Sequence, residues 1–336
     1  AELTSLFGTS PSAESLRAAR RLFSEVLDAP GGLNILTIHS FCQSILGRFP
    51  LESQVTPGFS ILEDQASRSL LSTVIRSFLM ETNAQVKEPL ARLAIGHSLD
   101  DLEKNILTVL GQSRELLEIC SPYDTNEAFL AHIRSGLGLE KGIDDQTLVS
   151  NFLENLPEAS LQAAVGVFCA GSKSYQTIGD SLRDWLRLPL NQRPVSLTAY
   201  KLIFLTTENT VRKLKNFGED HPEILRLWEA EGQRFLDFED KRRSLRIAQK
   251  TSDLLWVSHQ ILTEYNRRKK KINALDFNDL IIKTRGLLEQ TGTEWVHYKL
   301  DGGIDHILVD EAQDTNSDQW AIIKALSQEF FSGVGR

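Results

Sequence analysis

Asp305-His306-Ile307-Leu308-Val309-Asp310-Glu311-Ala312-Gln313-Asp314-Thr315-Asn316 sets three branched apolar residues directly before a cluster of acids. Ile307, Leu308 and Val309 read as a strand buried on both faces, the usual state of a parallel strand. Asp310 and Glu311 then stand at the carboxyl end of that strand, where open parallel sheets bind their ligands. A carboxylate in that position can hold a magnesium ion through water, and a second can polarise an attacking water. The plainer reading is a helix N-terminus after a strand, with acids complementing the helix dipole. Acids alone do not separate the two.

The surrounding chain has 336 residues and a formal net charge of −8. That length accommodates two domains with real cores. No apolar run is long enough to cross a membrane, and residues 1–15 lack the basic start and apolar stretch of a signal peptide. Cys42, Cys120 and Cys169 lie far apart and match neither a zinc nor an iron–sulfur spacing, so an intracellular, cytoplasmic setting is the simplest expectation. The acidic balance argues mildly against nonspecific nucleic-acid binding. Its distribution qualifies that: residues 201–271 carry sixteen Lys/Arg and eleven Asp/Glu, a local +5 against −13 elsewhere. Such a segment fits a DNA path, with Arg242, Arg243 and Arg246 and the run Arg267-Arg268-Lys269-Lys270-Lys271 as contacts, and it equally fits solvated helix faces.

Upstream, Leu16, Ala19, Leu22, Phe23, Val26 and Leu27 recur at helical spacing and predict a helix over 11–28, stopped by Pro30-Gly31-Gly32. Residues 33–38 read as a short strand feeding a helix from about His39 to Arg48. Thr37, His39 and Ser40 can donate to phosphates at a helix N-terminus, and Phe41 can stack on a base. Phe41 as helix core, and His39 as a cap or buried hydrogen-bonding residue, are equally ordinary roles. Thr56-Pro57-Gly58 reads as an exit, and 59–62 as a short extended piece. From about 64 to 270 helical patterns recur almost without strand signal. Gly166–Ser174 fails as a phosphate loop, because Ser172 separates Gly171 from Lys173 and the preceding residues read helical; a helix-terminating turn is expected there. Residues 275–287 read as a helix with Asp276 near its start. Residues 317–330 read as another, with Trp320, Ile323, Leu326 and Phe330 on its buried side.

Asp310-Glu311-Ala312-Gln313-Asp314-Thr315-Asn316 resembles motif II of superfamily 1 DNA helicases of the UvrD/RecB group. Thr37-Ile38-His39-Ser40-Phe41-Cys42 is similar to a DNA-contacting motif of that group, and Leu275-Asp276-Phe277-Asn278-Asp279-Leu280-Ile281 to the LDFxDL segment that precedes motif II. The flanks Ala29-Pro30-Gly31-Gly32 and Arg48-Phe49-Pro50-Leu51-Glu52 look closest to the AddA subunit of AddAB-type helicase–nucleases. The motifs themselves cover about a tenth of the chain, and their order carries the likeness across most of it. The resemblance implies an α/β fold with a large all-α insertion. A partial RecA-like parallel sheet (subdomain 1A) would occupy 1–58 and 272–336, and helical subdomain 1B would occupy 59–271. Residues 33–38 and 305–309 would be parallel strands of one sheet.

The resemblance also implies an ATP-dependent helicase acting in double-strand-break repair and recombination, using ATP and Mg2+. Its partners would be single- and double-stranded DNA and an AddB-like subunit. Asp310 would hold magnesium through water, Glu311 would act as general base, and Gln313 would sense the γ-phosphate. Asp314, Thr315 and Asn316 would couple that site to DNA, and Thr37, His39, Ser40 and Phe41 would meet the single strand. No G-x-x-x-x-G-K-[ST] phosphate loop occurs anywhere in the chain. The chain therefore reads as an internal piece, with no nucleotide expected to bind it alone; the second RecA-like domain and the nuclease domain would lie beyond Arg336. Three alternatives remain at this point. One is a natural protein that lost its ATPase and kept binding. Another is a helical DNA- or protein-interaction module without ATPase activity. The third is a self-sufficient magnesium phosphohydrolase, for which the remaining acids form no recognisable second metal set.

Overall fold

The computed structural model describes residues 12–28, 35–80, 84–96, 98–214, 221–289, 294–301, 307–310 and 312–331. It is mostly helical and divides into two compact units: residues 1–73 with 265–336, and residues 74–264.

In the first unit, α1 (Ala13–Asp28) forms where the apolar spacing predicts it, although Leu16 and Leu22 remain exposed. Helix α2 (Ile38–Arg48) starts at Thr37, whose hydroxyl accepts from the Ser40 amide at 3.2 Å and so satisfies one orphan N–H of the first turn. Cys42, Ile45 and Leu46 on α2, followed by Phe49, form a buried stripe. The chain then turns through Gly58, in the left-handed region at φ +71°, into β1 (Ser60–Leu62). Helix α3 (Asp64–Met80) follows and crosses into the second unit.

The second unit contains α4 (Ala84–Ala94), α5 (Leu99–Leu110), α6 (Ser113–Cys120), α7 (Asn126–Gly136) and α8 (Asp145–Glu154). After these come α9 (Glu158–Ala170), α10 (Lys173–Leu186), α11 (Leu197–Phe204) and most of the fifty-residue α12 (Pro222–Lys271). Gly171 and Ser172 form the turn between α9 and α10. The core is aromatic: Phe152 stacks on Phe238 with centroids 4.3 Å apart, and Phe204 lies 4.5 Å from Trp228. Within it Glu231 accepts both Arg234 (2.6 and 2.7 Å) and the Tyr200 hydroxyl (2.6 Å). The Arg234 guanidinium lies 3.8 Å from the Phe152 ring centroid. Burial first, and then the Glu231 carboxylate, push the Tyr200 phenol well above its ordinary range. A second buried hub, Asp253, accepts a bidentate pair from Arg92 at 2.8 Å each and an Asn126 amide at 2.9 Å.

Back in the first unit, Asn273 ends α12 in the left-handed region at φ +49°, a conformation Asn adopts more readily than most residues. Strand β2 (Ala274–Asp276) then pairs parallel with β1 in the register Ser60↔Ala274, Ile61↔Leu275, Leu62↔Asp276. Helices α13 (Phe277–Glu289), α14 (Glu294–Asp301) and α15 (Ser317–Phe331) close the unit. Leu280, Ile281, Leu287, Leu288, Val296, Leu300 and Ile322 pack with the buried stripe of α2.

In the described parts of 33–38 and 305–309, residues 35–37 and 307–309 carry no strand, and Ile38 already opens α2. Ile35 is 81% exposed and Leu308 99%, so neither run is the buried parallel strand its apolar content suggests; an apolar run becomes a strand only where a partner supplies ladder hydrogen bonds. Among the described residues, the strand pair joins 60–62 to 274–276 instead. Among the described side chains of α15, Ile322 is the fully buried one, while Trp320 is exposed and Ile323 and Leu326 are half-buried. The buried face is thus turned from the one expected, and Phe330 lies where no side chain is described.

Candidate functional site

The first cluster gathers at the start of α2. Thr37 is spent on capping: besides accepting from the Ser40 amide, its hydroxyl lies 2.9 Å from the Ser40 hydroxyl. Both residues are exposed, so these hydroxyls reach solvent at a helix N-terminus, where the dipole favours an anion. Phe41 is half-buried and packs on the core of the unit, which satisfies the core reading for much of its ring. His39 is also half-buried, and its ring stands 5.0 Å from Phe277, tilted by 56°. Phe277 is half-buried: it packs on the core of the unit, as Phe41 does, and also meets His39, adding an aromatic face beside the α2 N-terminus. Thr37→Ala is expected to lower the stability of the unit by about 0.5–2 kcal/mol, the ordinary range for losing such a cap; urea denaturation followed by circular dichroism measures it.

Phe277 is held by an arrangement that residue type alone did not reveal. It occupies the first position of α13, between Asp276 and Asp279. The Asp279 amide donates to the Asp276 carboxylate at 2.8 Å, and the Asp276 amide donates to the Asp279 carboxylate at 3.1 Å. This reciprocal pairing is a capping box with Asp in place of Glu. Both carboxylates also take the Lys269 ammonium, at 2.7 and 2.5 Å, and Asp276 takes the Tyr265 hydroxyl at 3.0 Å. Lys269 is 4% exposed. Its charge therefore belongs to the interior, unlike the basic surface run in which the sequence placed it. Burial pushes the Asp276 carboxyl up, but Lys269 and the hydrogen bonds outweigh it and hold that group below its ordinary range; Asp279, buried beside a second acid, is pushed up. The D-x-x-D spacing at a helix start is the signal that could have found this box.

The second cluster is the acidic motif. Asp310 is exposed at a bend after the irregular residues 307–309. Glu311 lies outside the described residues. Ala312–Asp314 form one 3-10 turn in which Gln313 is exposed. The Thr315 amide donates to the Ala312 carbonyl at 3.3 Å. Asn316 caps α15: its side-chain oxygen accepts the Gln319 amide at 2.9 Å, and its own amide donates to the Gln319 side chain at 3.1 Å. Asn316 is therefore fixed by a local structural role. As a donor set, an exposed carboxylate with an amide three residues on fits a hydrated magnesium held through water. Among the described residues no group of three or more His, Cys, Asp or Glu side chains forms a closed metal cage.

Of the arginines proposed for DNA, Arg242 forms a bidentate pair with Asp145 at 2.6 and 2.7 Å and lies over the Phe238 ring. That hydrogen bond holds the Asp145 carboxyl below its ordinary range. Arg243 is 61% exposed and pairs with Asp240 three residues earlier at 3.0 Å, and Arg246 is exposed. These three belong to the second unit, whereas the α2 cluster and the acidic motif belong to the first. No helix among the described residues is long and apolar enough to cross a membrane.

Residues 9–333 match the family model of the UvrD/REP helicase N-terminal domain. The chain is 41% identical over 76 residues to ATP-dependent DNA helicase UvrD1 of Mycobacterium leprae, a match covering 23% of this chain and 10% of that protein. It is 23% identical over 335 residues to an ATP-dependent helicase/nuclease subunit of Enterococcus faecalis, covering 90% of this chain and 26% of that protein. To ATP-dependent DNA helicase PcrA of Staphylococcus epidermidis it is 38% identical over 66 residues, 20% of this chain and 9% of the relative. The matched region thus spans about a quarter or less of each relative's length.

Proposed function

The chain belongs to the UvrD/REP helicase N-terminal-domain family, and from that premise we propose that it is the part of an ATP-dependent DNA helicase that carries motif II and one face of the single-strand path. The family match from residue 9 to 333, with the string 310–316 inside it, is the observation that carries this reading. In the proposal Asp310 holds Mg2+ through water, Glu311 takes the proton of the hydrolytic water, and Gln313 reads the γ-phosphate. Bound Mg–ATP supplies the reacting phosphoryl group and neutralises its charge. Asp314, Thr315 and Asn316 link this site to DNA, with Asn316 acting through the start of α15. The chain alone is inert toward ATP, because no phosphate-loop lysine or glycine-rich cradle occurs in it.

The finer assignments follow the long, low-identity likeness to the helicase/nuclease protein of Enterococcus faecalis. They are an AddA-like subunit working beside an AddB-like partner in double-strand-break repair, with a partial RecA-like subdomain 1A wrapped around a helical 1B. DNA would meet Thr37, Ser40 and His39 through phosphate contacts, and the faces of Phe41 and Phe277 by stacking. A short labelled oligothymidylate tests the contact. Phe277→Ala and His39→Ala are expected to weaken it, and unchanged affinity in both would remove this surface from the DNA path.

The basic helix gives a separate expectation. Arg242 is occupied by Asp145, so the phosphate contacts of this region fall to Arg243 and Arg246. Changing these two to Ala should flatten the log–log salt dependence of duplex binding by about 0.9 for each phosphate no longer neutralised. Changing Arg242 should instead lower stability. Equal slopes for wild type and the Arg243/Arg246 double variant would return both residues to a solvated face.

A further inference from the structure

We infer that Lys269 is a positioning residue, whose ammonium, clamped between the Asp276 and Asp279 carboxylates, fixes the first turn of α13 and thereby holds the Phe277 ring against His39. The inference rests on the proposed DNA contact of Phe277 for its functional meaning, and on geometry for its substance. Phe277 follows Asp276 and precedes Asp279 by two residues. Its backbone is therefore bracketed by the two amides that close the capping box. Those bonds alone fix the local turn. They do not fix the direction in which that turn points, because a helix end can still pivot on the chain leading into it.

Lys269 supplies the missing constraint. It lies in the last turn of α12, and its Nζ reaches both carboxylates at 2.7 and 2.5 Å. Tyr265, one turn earlier on α12, adds a hydroxyl to Asp276 at 3.0 Å, and its ring lies 4.5 Å from the same ammonium. Two successive turns of α12 thus grip one helix start. Between them the chain reverses at Asn273 and runs through β2, which is anchored to β1 by its parallel register. A lysine is suited to the task, because one compact ammonium can donate to two carboxylates at once. One ammonium serves two carboxylates, and the three side chains are only 6%, 15% and 21% exposed. The grip therefore resists salt far better than a surface pair would. Phe277 projects from the clamped turn to within 5.0 Å of the His39 ring.

The test places 4-fluorophenylalanine at position 277 of the full 336-residue chain and reads its fluorine signal, with the same label at Phe49 as a control in the shared core. Lys269→Met removes the charge and keeps most of the length. It should move the 277 signal toward the position given by His39→Ala, leave the Phe49 signal in place, and weaken oligothymidylate binding about tenfold, the effect of losing one stacked base. Should Lys269→Met fail to melt cooperatively, Asp279→Asn and Tyr265→Phe carry the same measurement, with the smaller shift expected for Tyr265→Phe. A 277 signal unmoved in a cooperatively folded variant overturns the inference, and so does a signal that moves only together with Phe49, since that reports general loosening. If Phe277→Ala binds oligothymidylate like wild type, the DNA reading of Phe277 falls, and the fluorine signal still decides the positioning.

Discussion

Glu311→Gln in the intact helicase lowers ATP hydrolysis about 10²–10⁴-fold while nucleotide binding persists. The amide keeps the size and most of the hydrogen-bonding capacity of the carboxylate, but it cannot accept a proton from the attacking water. Binding is carried by phosphate-cradling groups that the substitution does not touch. The loss should therefore appear in kcat with little change in the affinity for a non-hydrolysable ATP analogue. Phosphate release and equilibrium titration on the same preparation measure the two quantities. A wild-type rate in the variant would refute the role given to Glu311. The 336-residue chain itself should release no phosphate in either form. Release that disappears with Glu311→Gln would instead revive a self-sufficient phosphohydrolase.

The largest stability effect is expected in the aromatic core of the second unit. Arg234→Ala should destabilise it by about 3–5 kcal/mol, the cost of leaving a buried charge without its partner. Glu231 is only 1% exposed at its side chain and takes two bonds from Arg234. After the substitution the Tyr200 hydroxyl remains as its described donor. Arg234 also donates to the Phe152 carbonyl at 2.7 Å and covers the Phe152 ring, so packing is lost along with charge. Trp185 and Trp228 sit in the same core and report its unfolding by fluorescence in urea. Adding Glu231→Gln to Arg234→Met should recover part of the loss, because no buried charge is then left over. A double variant no more stable than Arg234→Ala would mean that packing, and not the stranded carboxylate, sets the cost.

Helices with a long apolar stripe were legible in the sequence. The spacing of Phe41, Ile45 and Leu46 places α2 within one residue of its observed start, and Pro50 marks its end. What the sequence did not show depends on partners distant in the chain. Leu33–Ile38 and Ile307–Val309 have the composition of strands, but a strand needs a neighbour, and residue type does not name one. The strands that do pair are three residues each: 59–62 reads as a short extended piece, but its partner at 274–276, more than two hundred residues on, reads as the approach to a helix. The candidate site divides in the same way. Asp310, Thr37 and His39 stand out by type and order. Phe277 looks like core because an aromatic at a helix start usually is, and its half-exposed face is decided by where His39 comes to rest. Lys269 disappears into a run of five basic residues, and only the acids seven and ten positions later explain why it alone is buried.

The first unit is made from both ends of the chain, and this sets a schedule for its birth. Cys42, Ile45, Leu46 and Phe49 bury themselves against Leu280, Ile281, Leu287, Leu288 and Ile322, all of which follow residue 264. A ribosome adding about 5–20 residues per second needs roughly 10–40 s to travel from residue 73 to residue 265. For that interval the apolar face of α2 has emerged and the helices that cover it have not been made. The second unit, continuous from 74 to 264, has all its own core residues in hand before the first unit can close. The nascent protein therefore carries a greasy helix, open to chaperones or to a neighbouring chain, for longer than most single domains take to fold.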